Sequence, residues 1–186
     1  MKTDCLIITA LESELKKSAL PKGVEIVYSG IGKINATIAT IQAITEFLPI
    51  KIINFGTVGR VNPSLSGLIE IGKVIQRDMS TEPLAPRGKT PFCIRPYEYQ
   101  STGEFICGTG DSFVTERDPW LQENKVDVVD MELFAIAAAA HQFNVPWYSY
   151  KFVTDDANAD SGNHWQDRVQ HGEQLFLEVL RKNLSY

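Results

Sequence analysis

Two carboxylates bracket the stretch DMELFAIAAAAHQFNVPWYSYKFVTDD, residues 130 to 156, with Glu132 at the opening of an alanine-rich helix and Asp155 at the close of an apolar strand. A carboxylate just past the C-terminal end of a buried strand lies on the edge where open α/β sheets bind ligands. Both acids are therefore expected at one crevice, placed for acid chemistry on a small molecule. A third acid, Glu14, follows the first apolar run in TALESEL. Read locally, each has a plainer explanation: Asp155 as a turn former, Glu132 as a charge that complements the helix dipole, and Glu14 with Glu12 as a solvated helix start.

The elements that would position these acids alternate along the chain. CLIIT at 5–9 reads as a buried strand, and LESELKKS after it has the charged face of a helix start. VEIVYSG at 24–30 is a strand ended by the turn Ser29-Gly30-Ile31-Gly32, and INATIATIQAITEFL is a helix that stops before Pro49. KIINFGT is a strand running into the small-residue turn GTVG, and strand character returns around 69–76. Four prolines fall in 83–96, which marks a loop. Strand GEFICGTG, a short helix near 117–124, strand VDVVD, the alanine-rich helix, strand PWYSYKFVT and a helix from about 164 to 183 complete the chain. Alternation of this kind predicts an α/β fold in which a mostly parallel, mixed central sheet is covered by helices in three α/β/α layers. TALESEL, SGIGK, FGTVG, GDSFV, VDME and VTDD would then meet at the strand C-termini, gathering Glu14, Ile31, Thr57, Phe113, Glu132 and Asp155 into one pocket.

Composition excludes other classes. With 186 residues the chain is expected to fold as a single domain over 1–186. A formal charge of −5 provides no basic stripe for a phosphate backbone, so no nucleic-acid partner is expected. Cys5, Cys93 and Cys107 lack CxxC spacing, which fits reduced thiols and a cytoplasmic protein with no metal centre. No membrane segment is expected, and CLIITAL is too short for a signal core. SGIGK lacks the GxxxxGK[ST] spacing of a nucleotide P-loop.

TALESEL, SGIGKINA, INFGTVG, GTGDSFV, VDMELFAIA and VTDDAN, in this order and spacing, resemble the nucleoside phosphorylase and nucleosidase superfamily, closest to its 5'-methylthioadenosine/S-adenosylhomocysteine nucleosidase branch. The resemblance spans nearly the whole chain. It implies the nucleoside phosphorylase type of fold, a homodimer, no cofactor, and hydrolysis of the N-glycosidic bond of a purine nucleoside with release of adenine. By the same resemblance Asp155 is the acid that protonates the leaving base, and a neighbouring acid such as Asp156 or Glu132 would raise its pKa. Glu14 is the base that activates water, so the two acids must hold opposite protonation states. Glu132 would grip the ribose hydroxyls and stabilise positive charge on the sugar, with Met131 packed against it. Thr57 and Gly59 would line the sugar side, Phe113 would stack on the purine, and the Val114 backbone would read its edge. Leu11 and Ile31 match positions that line the 5'-alkylthio pocket, and Trp165, ten residues beyond Asp155, stands where the family places an aromatic; the three are the apolar candidates for the 5' substituent.

Phosphorylases of this superfamily offer arginines to phosphate, and none stands at the matching turns here; Glu14 would repel the dianion and favour water. The chain departs from the branch in a short segment between TALESEL and SGIGK, in Arg60 where a small residue is usual, and in Lys151 where arginine is frequent. A nucleosidase for futalosine, AMP or adenosine, a phosphorylase, and an inactive nucleoside-binding protein are the rival readings.

Overall fold

Alternation along two adjacent strands divides the core into two faces. The computed structural model describes residues 2–155 and 172–184. In β1 (Cys5–Thr9) Leu6 and Ile8 face one way and Cys5 and Ile7 the other, and in β3 (Lys51–Arg60) Ile52 and Ile53 divide likewise. The first face is covered by α1 (Lys33–Phe47) and α3 (Leu133–Gln142), through Ala36, Ala43, Ile44, Leu133, Ile136 and Ala140. The second is covered by the C-terminal helix α4 (Gly172–Leu184), whose Phe176 stacks on Phe55 with ring centroids 4.4 Å apart. Two helical layers thus enclose the sheet, as the period-2 and period-3.6 patterns require.

The remaining elements are β2 (Glu25–Tyr28), β4 (Leu68–Gln76), β5 (Glu98–Gln100), β6 (Phe105–Thr109), α2 (Pro119–Glu123), β7 (Val128–Asp130) and β8 (Trp147–Asp155). β1 pairs in parallel with β2 and β3, β3 with β8, β4 with β6, and β6 with β7. Antiparallel pairs join β3 to β7, β4 to β5, and β4 to β8. Among the described residues β3, β8, β4, β6 and β7 pair in succession and β7 returns to β3, so part of the sheet closes on itself.

One edge of β3 changes neighbour along its length. Cys5–Ile8 of β1 flank Lys51–Asn54, β7 flanks Gly59 and Arg60, and the interval between them is taken by neither strand. Such a switch point is where open α/β sheets leave room for a ligand.

Two sequence expectations are corrected. GTVG is not a turn, because β3 continues to Arg60, buried from Ile52 to Gly59. LESELKKS forms turns and a single 3-10 turn at Lys17–Ala19 instead of a helix, because the Glu14 side chain is drawn into the core by partners on β1 and β3. The helix expected at 164–183 is described from Gly172 onward, and Asp156 and Trp165 lie outside the described residues. No helix among the described residues is long and apolar enough to cross a membrane.

Candidate active site

The gap beside β3 opens into a cleft lined by Glu14, Ile31, Thr57, Gly59, Phe113, Val114, Met131 and Glu132, together with Ala10, Val58, Arg77, Ser112, Val129 and Asp130. Eight residues expected from the sequence therefore share one cavity. Ile31 and Phe113 stand at its rim, each about half exposed.

Glu14 occupies the floor and is 3 % exposed. Its Oε1 accepts from the Thr57 backbone N–H at 3.0 Å and the Thr57 hydroxyl at 2.9 Å; its Oε2 accepts from Leu11 N–H at 3.1 Å and the Thr9 hydroxyl at 3.2 Å. Four donors converge on two oxygens, the environment of a carboxylate that only accepts. At Gly56 a Cβ would meet Glu14 Oε1 at an ordinary 3.6 Å and crowd Lys151 Nζ at 3.3 Å.

Behind Glu132 lies a buried charge cluster. Lys151 Nζ is 2.8 Å from Asp130 Oδ2, with both side chains within the core. Asp130 also accepts from the Thr109 hydroxyl at 2.5 Å and from Leu133 N–H at 2.9 Å. Burial pushes the Asp130 carboxyl up, but Lys151 and the hydrogen bonds from Thr109 and Leu133 together outweigh this and hold it below the usual range. Burial pulls the Lys151 ammonium down, and Asp130 with Cys107 and Glu132 more than reverses that, to about 12. Thr109 accepts the Phe134 N–H, so Asp130 and Thr109 together cap α3. Glu132, at the N-cap position itself, makes no side-chain cap bond and is free to turn toward the cleft. There its Oε1 accepts Gly32 N–H at 2.9 Å, from a residue at φ +94° that favours glycine. Burial, then the neighbouring Asp130, push the Glu132 carboxyl up to about 7.

An arginine missed in the sequence also lines the cleft. Arg77, just past β4, is 4 % exposed and directs its guanidinium at the loop after β6. Nε donates to Gly108 O at 3.2 Å, Nη1 to the Ser112 hydroxyl at 3.2 Å, and Nη2 to Gly110 O at 3.0 Å and to Ser112 O. Burial draws its pKa below the ordinary arginine value, against the pull of Asp78 and Asp130. It arrives from an element that the turn motifs did not include. Four of its five N–H donors go to the protein, which sets it apart from an arginine offered to phosphate.

Leu11 contributes its backbone to Glu14 and is not among the residues lining the cleft. Asp155 ends β8 with its backbone opposite Gly59, beyond a register shift at Val58/Gly59. Arg60, outside the cleft, donates to Leu65 O at 2.9 Å. Among the described residues no group of three or more His, Cys, Asp or Glu is arranged to hold a metal ion.

The chain matches the model of the phosphorylase superfamily over residues 20–105 and 99–185. It is 33% identical over 191 aligned residues to the 5'-methylthioadenosine/S-adenosylhomocysteine nucleosidase of Shewanella frigidimarina, covering 87% of this chain and 82% of that protein. It is 32% identical over 162 residues to the nucleosidase of the same name from Staphylococcus haemolyticus, covering 74% and 70%. Among solved structures, the Helicobacter pylori 5'-methylthioadenosine/S-adenosylhomocysteine nucleosidase with butyl-thio-DADMe-Immucillin-A superposes with a TM-score of 0.87, at 20% identity, over 99% of this chain and all of that one. A futalosine hydrolase mutant of Helicobacter pylori superposes with a TM-score of 0.85, at 18% identity, over 96% and 97%. These two likenesses establish the nucleoside phosphorylase type of fold. With the family model and two relatives about a third identical over most of their lengths, the chain belongs to the phosphorylase superfamily and, within it, to the 5'-methylthioadenosine/S-adenosylhomocysteine nucleosidases.

Proposed function

We propose that this chain hydrolyses the N-glycosidic bond of 5'-methylthioadenosine, S-adenosylhomocysteine or both, releasing adenine and the free thiosugar. The observation that carries the reading is Glu14, held in the floor of a cleft whose other walls are Glu132, Met131, Phe113 and Val114. Purine stacked on Phe113 sets the sugar over Met131, and the Glu132 carboxylate accepts the ribose hydroxyls. As the C–N bond breaks, Asp155 gives its proton to the departing base and positive charge gathers on the sugar, where Glu132 stabilises it. Water then forms the new C–O bond and its proton goes to Glu14.

Water as nucleophile, rather than phosphate, is supported by the commitment of Arg77 to carbonyls and a hydroxyl of the protein. A working homodimer is supported by the exposed isoleucines 34, 38 and 41 on α1. The test is to incubate the purified chain with a panel of purine nucleosides with and without phosphate, and to measure free base and sugar. Base and unphosphorylated sugar are expected in phosphate-free buffer. A strict phosphate requirement with a sugar 1-phosphate product would refute the hydrolase reading.

A further inference from the structure

Arg77 and Asp78 are consecutive, yet they grip the loop after β6 from opposite sides. From within, Arg77 donates to the carbonyl oxygens of Gly108, Gly110 and Ser112 and to the Ser112 hydroxyl. From without, Asp78 accepts the Asp111 N–H at 2.9 Å and pairs with Lys33 Nζ at 2.5 Å. Lys33 in turn donates its backbone N–H to Asp111 Oδ1 at 2.7 Å, one residue after the Gly32 N–H that is bound by Glu132. The loop that leads into Phe113 is thereby tied to the glycine turn that orients Glu132. Gly110 shows how closely the loop is built around the guanidinium, since a Cβ there would lie 2.9 Å from Arg77 Cζ and 3.0 Å from Cγ and Nη1. Only a residue without a side chain fits beneath it.

We propose that Arg77, with Asp78, is a clamp that fixes the purine-facing segment Gly110–Val114, which makes Arg77 a positioning residue for recognition of the base. This rests on the nucleosidase reading above. A charged group bonded to several carbonyls of one short loop removes the loop's freedom before the ligand arrives, and that preorganisation is expressed as affinity. The two sides of the grip differ in character. The Arg77 side is buried, whereas the Lys33–Asp78 side is partly exposed and weakens with salt.

The variants to test are Arg77→Met, which keeps the stem and removes the donors, and Gly110→Ala, which displaces the guanidinium while leaving Arg77 in place. Both are expected to raise KM for 5'-methylthioadenosine by about tenfold, with a smaller fall in kcat, and to narrow the preference for adenine over hypoxanthine nucleosides. Hydrogen exchange of the amides at 108–114 should accelerate, while exchange across 51–60 stays as in the parent protein. Arg77→Lys should recover part of the lost affinity. If the parent chain turns over nucleoside and both variants keep its KM, its base preference and its exchange at 108–114, the clamp is refuted. Uniform acceleration of exchange across 51–60 and 108–114 would also refute it, by showing a general loss of stability. If the parent chain turns over no nucleoside, the function itself is wrong; the exchange measurement still decides whether Arg77 holds the loop.

Discussion

Replacing Lys151 by Met removes the cation paired with Asp130 in the core. Lys151 is 1% exposed and Asp130 5%, so the carboxylate left behind stays largely buried and keeps the Thr109 hydroxyl and the Leu133 N–H but loses its paired cation. Breaking a buried pair on one side typically costs about 3–5 kcal/mol, which for a chain of this length is a Tm lower by on the order of 10 °C. The second effect is electrostatic. Lys151 holds the Glu132 carboxyl down, and Asp130 pushes it up. Lys151→Met should therefore move the acid limb of kcat/KM, set by ionisation of Glu132 near pH 7, toward alkaline pH, whereas Asp130→Asn should move it toward acid pH. The same proton affects stability. Its pKa of about 7 in the fold exceeds the value of about 4.3 in an unfolded chain, so its contribution is full below the lower value and is lost as pH rises through the upper one. Urea unfolding at pH 5 and pH 8 together with pH–rate profiles of both variants checks this. A Lys151→Met variant as stable as the parent protein, or acid limbs that move the same way in both variants, would refute the reasoning.

Asp155→Asn should leave the fold intact and lower turnover by about 100- to 10,000-fold, because an amide cannot supply the proton to the leaving base; adenine release near the parent rate by the folded variant would contradict this. Preference at the 5' end follows from the apolar rim at Ile31: methylthio should be favoured over hydroxyl by about 1–3 kcal/mol in kcat/KM, and AMP should be poorest because its phosphate loses hydration without a free arginine partner. AMP as the best substrate would overturn the pocket assignment.

Most of the cleft was legible because its residues sit where motif and period agree. Glu14, Ile31, Phe113 and Glu132 each follow a strand and Thr57 lies within β3, and alternation brings those segments to one edge. What escaped the sequence is long-range. Arg77 follows β4 with no motif around it, and its purpose emerges only once the β6 loop packs over it. Asp130 carried a faint signal, an acid three residues before Leu133, but its partnership with Lys151 depends on β7 and β8 being brought together around β3. The glycines of GTVG read as a turn, yet both lie within β3, where Gly56 passes close to the Lys151 side chain. The antiparallel contact of Leu68–Glu70 with Tyr150–Phe152, which closes the ring of strands, has no local signature at all.

Glu14 stands in the interval of β3 that neither β1 nor β7 covers, and it accepts the Thr57 N–H that no strand there can take. Active-site acids are commonly a burden on folding, and their loss stabilises the scaffold. Here the sign is opposite: without this carboxylate, two backbone amides and two hydroxyls lose a buried acceptor, at about 1–3 kcal/mol for each left unsatisfied. On the role proposed for Glu14, chemistry and architecture are thus inherited through the same side chain. A descendant that abandons catalysis has good reason to keep Glu14 and to lose Phe113 first, since that residue stands half in solvent and holds no strand in place.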